Sequence, residues 1–402
     1  MPVYLNAMGI ACGLGKDKSA VANKLFAEAS APLEQRSGLA KSDAYVAGQE
    51  VVVGQLPFIL EKLPKQYARF DCRNNRLLVH VLDEIATVVD AAISEFGNTR
   101  VGVVLGTSTS GIAKGESALS TFRKSNQLPS EFHYSQQEIG GPSEFLASYL
   151  DLRGPALTIS TACSSSAKVF ASGQRLLETG HCDAVIVGGV DTLCKLTLNG
   201  FSSLSAVSAD RCNPFSQNRD GINIGEGAAL YLMTKKKSAI EMCGVGEASD
   251  AHHISAPHPD GTGAITAMSE ALRRSGLLPK DIDYINLHGT ATPQNDAMES
   301  TAVHSVFGND VAASSTKGQV GHTLGAAGAI EVGFCYLVLS DLNKQRVLPQ
   351  QIWDAQPDDK TCKIRFVQPG ETLTENNSRY YCLSNSFAFG GSNVSVVIGQ
   401  SS

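Results

Sequence analysis

One cysteine and two histidines have the sequence settings best suited to chemistry. Cys163 lies in the segment 158–167, TISTACSSSA, between an apolar run and a helix-compatible stretch. That order predicts a strand, a tight turn and a helix, with the thiol at the helix start. The first N–H groups of a helix carry positive partial charge and lower the pKa of a nearby thiol. Cys163 is therefore a candidate nucleophile, and a buried structural cysteine is the alternative for this segment alone.

The two histidines each follow a predicted element and lie next to glycine. His288 is the fifth residue of YINLHGTATP, and His322 is the sixth residue of KGQVGHTLGAAG. Either one alone is more simply explained as a core histidine. Together with Cys163 they favour a reactive site, because glycine lets a ligand approach the backbone closely. Lys317 lies five residues before His322, where it influences the charge of that histidine or is a surface lysine.

A glycine-rich segment near the C-terminus is the third feature. Residues 385–393 read NSFAFGGSN, with two aromatic residues and then two glycines. Such a turn can offer a backbone N–H and a mobile ring to a substrate. An ordinary hairpin turn is the alternative.

Composition excludes several classes of protein. The chain has 402 residues and a formal net charge of −6, and no run approaches the ~18 apolar residues of a membrane span. The negative charge does not favour a general nucleic-acid surface. The ten cysteines form no C-x-x-C pair, so a zinc site is not expected, and their apolar settings suit reduced thiols in the cytoplasm. The first seven residues lack the features of a signal peptide and predict a strand.

Strand-like runs alternate with helical patterns, which predicts an α/β fold. Strands are expected at 101–105, 184–189, 282–287 and 394–398, and helices at 77–96, 143–150, 167–179, 264–275 and 297–307. The strand-to-helix turn at 157–166 is echoed at 311–328. We therefore expect two duplicated halves, residues 1–240 and 241–402, with the nucleophile from the first and the histidines from the second.

Four motifs together resemble the signatures of elongating beta-ketoacyl-ACP synthases. They are TACSS around Cys163, HGTAT at His288, Lys317 with the GH pair at His322, and the FGG loop at Phe389. The resemblance extends over the whole chain. It implies the thiolase fold, with two α/β halves in a five-layer α-β-α-β-α arrangement, an acyltransferase activity and a homodimer. Initiating synthases have asparagine in place of His322, and thiolases have a second catalytic cysteine in the late loop, which here contains none.

The resemblance also implies a role for each residue. Cys163 takes the acyl chain from an acyl carrier protein, and the backbone N–H groups of Cys163 and Phe389 form the oxyanion hole. His288 and His322 stabilise the enolate that forms when malonyl-carrier loses CO2, which gives a 3-oxoacyl product. Lys317 organises the histidines, and Phe389 gates the two steps. No metal or organic cofactor is needed, since the substrates arrive on phosphopantetheine.

Further positions follow from the same resemblance. Glu331 is expected to pair with Lys317, and Glu299 supports the site, with a structural cation near the two glutamates as in some relatives. Carrier docking is assigned to basic residues because carrier proteins are acidic. The remaining expected positions are Thr290, Thr292 and Ser255 for the pantetheine arm, Thr107, Ser108, Thr109 and Phe201 for the acyl pocket, and Arg73, Arg76 and Arg211 for carrier docking.

Departures from the family pattern point to the substrate. Ala388 stands where housekeeping members have glycine, Ser216 stands where the family usually has aspartate, and the stretch 107–110 is rich in hydroxyls. With the segment 249–259, SDAHHISAPHP, these features look most like ketosynthases of bacterial aryl polyene pathways. General fatty-acid elongation is the second interpretation. A non-catalytic chain-length factor is the third, and a heterodimer in which this chain is the active half stays open.

Overall fold

The computed structural model describes residues 2–374 and 378–401. Strands in this part of the chain alternate with helices, as predicted. The strands are β1 (Val3–Cys12), β2 (Leu39–Val46), β3 (Gln49–Gly54), β4 (Val101–Gly106), β5 (Ala156–Ile159), β6 (Ala184–Asp191), β7 (Ile224–Gly225), β8 (Gly227–Thr234), β9 (Ile240–Ser249), β10 (Tyr284–Asn286), β11 (Ala312–Ser314), β12 (Arg365–Phe366), β13 (Tyr381–Phe387) and β14 (Ser392–Gln400). The α-helices are α1 (Lys18–Leu25), α2 (Arg73–Asp83), α3 (Ala86–Phe96), α4 (Ile112–Ser125), α5 (Gly141–Tyr149), α6 (Ser165–Glu178), α7 (Lys195–Ser203), α8 (Thr262–Ser275), α9 (Pro293–Phe307), α10 (Lys317–Val320) and α11 (Ala327–Leu339). The strand predicted at the N-terminus is β1, and Met1 lies outside the described residues.

The two halves of the chain build the same sheet topology. In the first half the spatial order is β5-β4-β6-β8-β1, and in the second it is β11-β10-β13-β14-β9. In both orders the first two pairings are parallel and the last two are antiparallel. The expected duplication is confirmed by this match, which is much clearer in the structure than in the amino-acid pattern.

A short ladder joins the two half-sheets. Val3 and Tyr4 of β1 pair with Met242 and Glu241 of β9, so that eleven strands, including the edge strand β12, are continuous within the described chain. The helices α6 and α11 pack together between the two half-sheets. Every residue of α11 except Tyr336 is buried, which explains why its sequence is apolar apart from one charged residue, Glu331.

Three apolar clusters separate five layers. The central cluster contains α6 and α11, and the outer clusters pack α2 and α5 on the first half-sheet and α8 and α9 on the second. The two central helices approach closely at Gly328, where a Cβ atom would lie 2.6 Å from the backbone nitrogen of Ala167. A side chain at position 328 would push the helices apart. The five-layer arrangement expected from the sequence is confirmed.

One predicted helix is two helices in the structure. The pattern at 77–96 is interrupted at Ile85, whose φ of −119° is not helical. The carboxylate of Glu84 accepts hydrogen bonds from the backbone N–H groups of Ile10 (2.9 Å) and Lys18 (3.0 Å), which ties the interruption to the first strand. The apolar periodicity continues through this break, so the sequence pattern alone predicts a single helix.

A small separate sheet, β2-β3-β7, was not predicted from the sequence. Its strand β7 lies against the loop that contains His322. The His322 N–H donates to the carbonyl oxygen of Asn223 at 2.6 Å, and the Gly225 N–H donates back to the carbonyl oxygen of His322 at 2.9 Å. This sheet therefore fixes the backbone of a candidate catalytic residue.

Composition also gave expectations about the thiols and about membrane-spanning helices. All ten cysteines carry free thiols. Among the residues that the structure describes, no helix is both long enough and apolar enough to cross a membrane.

Candidate active site

The candidate nucleophile lies in a strained turn between β5 and α6. Ala162 has a φ of 53°, in the left-handed region, and Cys163 directly follows it. The hydroxyl of Ser165 accepts the N–H of Thr161 (2.9 Å) and donates to the carbonyl oxygen of Ala162 (2.5 Å), which closes the turn. Cys163 is 7% exposed. The structure thus has the predicted order of strand, turn and helix at the thiol.

A histidine from the second half faces this thiol. The Nε2 atom of His322 lies 3.0 Å from the Sγ atom of Cys163. Gly321, with a φ of 74°, turns the chain so that the histidine backbone reaches β7. A thiol and an imidazole within hydrogen-bond reach form the pair that nucleophilic catalysis by cysteine requires.

His288 completes a cluster of three side chains. Its backbone N–H and that of Gly289 donate to the carboxylate of Glu299, at 2.8 and 2.7 Å. The ring centroids of His288 and His322 lie 5.3 Å apart. The Sγ of Cys163 and one nitrogen of each ring are all within 4.8 Å of one another. Three residues predicted from separate motifs therefore surround one small volume.

A buried ion pair lies behind the histidines. The Lys317 ammonium donates hydrogen bonds to the backbone oxygen of His288 and to Oε1 of Glu331, and both charged side chains are buried. Lys317 is therefore not a surface residue. Removing one partner of such a pair would leave an uncompensated buried charge, which is strongly destabilising.

The two glutamates of the site are held in different ways. Glu299 accepts backbone N–H groups, whereas Glu331 contacts the Lys317 ammonium through one oxygen only. Burial raises the pKa of both carboxyls to about 7. The Oε2 atom of Glu331 has no hydrogen-bond partner in the described part of the chain. The structural cation expected here stays a prediction, with this oxygen as the available ligand.

Burial decides the protonation of the three central side chains. It lowers the pKa of His288 and of His322 well below the usual range, and the Lys317 charge lowers both further. Both imidazoles are therefore neutral near pH 7. Burial also raises the pKa of the Cys163 thiol to about 11, although Lys317 and the backbone N–H groups of Phe389 and Cys163 oppose that rise. The lowered thiol pKa expected at the helix start is wrong, because desolvation outweighs the charge of the helix end.

This thiol pKa predicts alkylation that accelerates with pH. Only the thiolate reacts with iodoacetamide, and below a pKa of about 11 the thiolate fraction rises about tenfold per pH unit. We expect the alkylation rate constant of Cys163, followed by mass spectrometry, to rise in that proportion from about pH 7 to about pH 10. The half-buried Cys243 and Cys362 are quantified on separate peptides. A rate that levelled off below about pH 8 would mean that a thiolate–imidazolium pair forms instead.

The glycine-rich C-terminal loop lies over the thiol. The backbone N–H groups of Phe389 and of Cys163 itself lower the pKa of this thiol, which places both near the sulfur. The Phe389 ring is 37% exposed, and its centroid lies 5.8 Å from that of Phe201. The N–H of Gly390 donates to the carbonyl oxygen of Ile254 at 2.8 Å, which holds the loop in place. Two N–H groups therefore lie next to the reacting sulfur, where donors to the carbonyl oxygen of a substrate thioester would be needed.

A cavity of about 410 Å³ opens at the thiol. Its wall contains Thr290, Thr292 and Ser255, the three positions predicted for the pantetheine arm, and also Phe201. The hydroxyls of Thr290 and Thr292 lie 2.9 Å apart. The cavity therefore brings the predicted pantetheine positions to the same opening as the cysteine–histidine cluster.

Comparison with known families agrees with this geometry. The family model described as Beta-ketoacyl synthase, N-terminal domain, matches residues 1–239, and the model described as Beta-ketoacyl synthase, C-terminal domain, matches residues 239–352. The chain belongs to the beta-ketoacyl synthase family. The resemblance that its four motifs indicated is confirmed.

Curated relatives of the synthase carry the same family name. The mitochondrial 3-oxoacyl-[acyl-carrier-protein] synthase of Arabidopsis thaliana is 37% identical over 269 residues, which are 62% of this chain and 57% of that protein. The 3-oxoacyl-[acyl-carrier-protein] synthase 2 of Coxiella burnetii is 34% identical over 329 residues, which are 77% of each chain. The synthase thus spans 57% of the first relative and 77% of the second.

Solved structures extend the likeness over the whole synthase. A chain of the ketosynthase ApeO in complex with its chain length factor ApeC, from Xenorhabdus doucetiae, matches with a TM-score of 0.92 and 41% identity, over 100% of this chain and 98% of that one. A beta-ketoacyl synthase from Burkholderia phymatum matches with a TM-score of 0.86 and 24% identity, over 100% of both chains. The second match concerns the fold alone.

The synthase does not line its cavity with the hydroxyls predicted for the acyl pocket. Thr107 and Thr109 are buried, and their Oγ1 atoms donate to Oδ1 of Asp191, at 2.6 and 2.7 Å. The backbone N–H of Ser108 donates to the same carboxylate at 3.0 Å. Of the four predicted positions, Phe201 belongs to the cavity wall. A buried carboxylate accepts the hydroxyls of Thr107 and Thr109, and the assignment of the three hydroxyl residues to the acyl pocket stays a prediction.

The three arginines predicted for carrier docking all have internal partners. Arg73 pairs with the fully buried Glu226 at 2.5 Å, and Arg76 pairs with Asp71 at 2.6 Å. Arg211 donates to a serine hydroxyl and to a backbone oxygen, at 2.6 and 2.7 Å. These contacts account for the positions of all three side chains, and a role for them in carrier docking stays a prediction.

Asp191 and Glu226 are among the buried carboxylates that sequence reasoning missed. Asp191 follows the apolar run VIVGGV, and Glu226 lies inside INIGEGAALYL. Glu226 accepts the N–H groups of Leu56 (3.0 Å) and Leu193 (3.3 Å) and pairs with Arg73. A single acid within or directly after a run of buried strand residues was the available signal, since such a charge needs dedicated donors.

Proposed function

We propose that the synthase joins a Cys163-bound acyl chain to malonyl on an acyl carrier protein, with loss of CO2, to give a 3-oxoacyl-carrier. The observation that carries this proposal is the 3.0 Å contact between Sγ of Cys163 and Nε2 of His322, under two backbone N–H donors. The neutral His288 ring supplies a hydrogen bond to the malonyl thioester carbonyl, and the buried Lys317 beside it holds the His288 backbone in place.

Acyl transfer is the first step. Because the free thiol is protonated at pH 7, Nε2 of His322 accepts its proton as sulfur attacks the thioester carbonyl of the acyl carrier. The negative oxygen that forms is stabilised by the N–H groups of Cys163 and Phe389. The pantetheine sulfur then leaves and takes the proton from His322, and the acyl group stays on Cys163.

Condensation is the second step. The thioester carbonyl of malonyl-carrier accepts hydrogen bonds from the rings of His288 and His322. The bond between the carboxylate and the α-carbon breaks, CO2 leaves, and the electron pair forms an enolate. The enolate carbon bonds to the acyl carbon, the bond from that carbon to the Cys163 sulfur breaks, and the thiolate takes up a proton. Both imidazoles are neutral in this step, because the charge of Lys317 disfavours a second positive charge nearby. A neutral ring still has an N–H group to donate to the carbonyl oxygen.

Lys317 and Glu331 act without touching substrate. The lysine ammonium bonds the carbonyl oxygen of His288 and the carboxylate of Glu331, so it fixes the histidine backbone. It also keeps both imidazoles uncharged. We therefore assign this pair a positioning role.

We assign the mouth of the cavity to the phosphopantetheine arm of the acyl carrier protein. Thr290, Thr292 and Ser255 hold the pantetheine, because their side chains line the cavity that leads to the thiol. Phe389 gates the two steps. This assignment is supported by its partial exposure and by the glycines after it, whose φ values of 81° and 77° other residues rarely adopt.

The acyl chain is assigned to the aryl-capped polyene class. The sequence resemblance supports this class, as does the 41% identity with the matched chain of the ApeO–ApeC complex. The tilted ring pair of Phe201 and Phe389 offers flat apolar surfaces to a conjugated chain. General fatty-acid elongation is the second candidate, supported by the curated 3-oxoacyl-carrier synthases.

Elongation of defined acyl carriers tests both the reaction and the substrate class. With malonyl-carrier, cinnamoyl-carrier is expected to gain two carbons at least about tenfold faster than a saturated carrier of equal length, read by intact-protein mass spectrometry. The variant Phe201→Leu should reduce this ratio and spare the saturated substrate. Elongation of saturated carriers only would overturn the aryl polyene class. Absence of product from every carrier would overturn the condensation itself.

We assign the free edge of the sheet at β5 to contact with a second subunit of the same fold. This strand ends the sheet, and Leu157 on it is 47% exposed. A groove of about 980 Å³ between α4 and α7 is lined by Leu119, Phe122 and Leu196, all at least 40% exposed. Open edges and large apolar patches mark interfaces. The occupant is a second copy or a chain length factor, as in the ApeO–ApeC complex, and native mass spectrometry with and without co-expressed factor distinguishes them.

The remaining assignments follow from the chemistry. Every proposed step is nucleophilic or acid–base, so the reaction needs no free cofactor. The free cysteines suit a reducing compartment, and the cytoplasm is the assigned location. A non-catalytic chain-length factor is not favoured, because the contact between Cys163 and His322 would serve no purpose in an inert subunit.

A further inference from the structure

An ion pair fixes one end of the short strand β7. Glu226 directly follows β7 and is fully buried. Its carboxylate accepts two hydrogen bonds from the guanidinium of Arg73, the first residue of α2, at 2.8 Å to Oε2 and 2.5 Å to Oε1. It also accepts the N–H groups of Leu56 (3.0 Å) and Leu193 (3.3 Å). Three separate segments of the chain therefore hold this end of β7.

The other end of β7 is fixed by a buried amide. Oδ1 of Asn223 accepts the N–H of Cys212 at 2.6 Å, and Nδ2 of Asn223 donates to the carbonyl oxygen of Asp210 at 2.8 Å. Asn223 and Glu226 are both fully buried, so water does not compete for these bonds. An arginine that binds a carboxylate through two hydrogen bonds also restricts the geometry of the pair. The segment 223–226 is thus held firmly at both ends.

This segment meets the loop of His322 through backbone contacts. His322 exchanges backbone hydrogen bonds with Asn223 and Gly225. A Cβ atom on Gly225 would lie 2.3 Å from the carbonyl oxygen of Val320, and one on Gly54 in β3 would lie 1.9 Å from the same oxygen. At these two glycines no side chain lies between the strands and the loop to absorb a movement. A displacement of β7 would therefore displace His322.

The ion pair is also connected to the element that carries the nucleophile. Leu193, which donates to Glu226, comes two residues after β6. The strand β6 packs closely on the start of α6, where a Cβ atom on Gly189 would lie 2.4 Å from the Cβ of Ser166. Glu226 therefore links the strand that holds His322 to the strand on which the helix of the nucleophile packs.

We propose that Arg73 and Glu226 are positioning residues for acyl transfer. Their ion pair holds β7 in place, and β7 holds Nε2 of His322 at 3.0 Å from the Cys163 sulfur, whose proton it accepts. The proposal rests on the acyl-transfer function described above. A displacement of about 1 Å at such a base lowers the rate by about 100-fold.

Single-turnover acylation at increasing carrier concentration tests this role in two variants. Arg73→Met leaves the Glu226 charge buried without its cation, which destabilises the fold. The double variant Arg73→Met/Glu226→Gln has no buried charge, so its melting temperature should recover, but its amide nitrogen cannot accept an N–H group. Both variants are expected to acylate about 100-fold slower at saturating carrier, with an unchanged half-saturating concentration, read by intact-protein mass spectrometry.

Arg100→Met is the matched control for these variants. The Arg100 side chain is 39% exposed, close to the 35% of Arg73, but its partner Asp183 is itself 43% exposed. The change therefore removes a surface ion pair, which contributes little to stability. Its acylation rate, half-saturating concentration and melting temperature should all be those of the wild type.

The outcomes separate positioning from the alternatives. Recovery of the acylation rate together with the melting temperature in the double variant would overturn the proposal, because the pair would then serve stability alone. A wild-type maximal rate with a raised half-saturating concentration would also overturn it and would assign Arg73 to carrier docking. If Arg73→Met does not fold, the double variant decides by the same two values. Failure of the wild-type synthase to acylate with any carrier would instead overturn the proposed acyl-transfer function.

Discussion

Cys163→Ala is expected to form no acyl-enzyme and no elongated product. The sulfur is the only atom in the cluster that can carry the chain, and loss of such a nucleophile typically lowers turnover by about a million-fold. Intact-protein mass spectrometry with an acyl carrier detects the missing adduct, and the product assay detects the missing 3-oxoacyl-carrier. Decarboxylation of malonyl-carrier is expected to persist, because both histidines and the Lys317–Glu331 pair stay in place.

Cys362→Ala is the matched control for that experiment. Cys362 is also a free thiol, half-buried and remote from the cluster, with a weak contact to Thr301 at 3.8 Å. Its replacement should leave acylation and elongation at wild-type rates. Full elongation by Cys163→Ala would show that the chain is carried elsewhere, and the proposed function would fail.

His288→Ala is expected to separate the two steps. The thiol contacts His322, not His288, so acylation should proceed at close to the wild-type rate. Condensation should fall by about 100- to 1,000-fold, because one of the two donors to the enolate oxygen is lost. Single-turnover mass spectrometry, first with acyl-carrier and then with malonyl-carrier, measures both rates on the same sample.

His304→Ala provides the comparison, since His304 lies on the exposed side of α9 and its ring hydrogen-bonds to Asn309. Both steps should be unaffected by this change. An equal loss of acylation and condensation in His288→Ala, with a lowered melting temperature, would mean that His288 supports the fold rather than the enolate. A normal melting temperature with both steps intact would exclude any role in the reaction.

The reacting cluster was predictable because each of its members lies in a short motif of small residues at the end of an element. Cys163, His288 and His322 come from three separate stretches of sequence, and the structure brings their reactive atoms within 4.8 Å. The two-half architecture was also predictable, because strand and helix patterns alternate in both halves. These features depend on local residue types and on periodicity, which a sequence displays directly.

The errors concern properties that arise only when distant segments pack together. The pKa of Cys163 is raised because the surrounding protein removes water, and no residue next to it in the sequence reports that burial. The hydroxyls of Thr107 and Thr109 looked free for substrate, but Asp191, more than eighty residues later, accepts them. Arg73 pairs with Glu226, which lies 153 residues later and which the segment around Arg73 does not indicate. A partner remote in sequence decides each of these cases.

The repeated topology also bears on the ancestry of the catalytic loops. Because β5 and β11 occupy equivalent places in the two halves, the turn with Cys163 and the turn with His322 are counterparts. In the same way, β4 and β10 correspond, so the turn held by Asp191 is the counterpart of the segment that begins at His288. A symmetric forerunner made of two identical halves would have carried the same residue on both members of each pair. In the present chain the members of the first pair differ: one turn carries the thiol and the other the imidazole, and the two lie 3.0 Å apart.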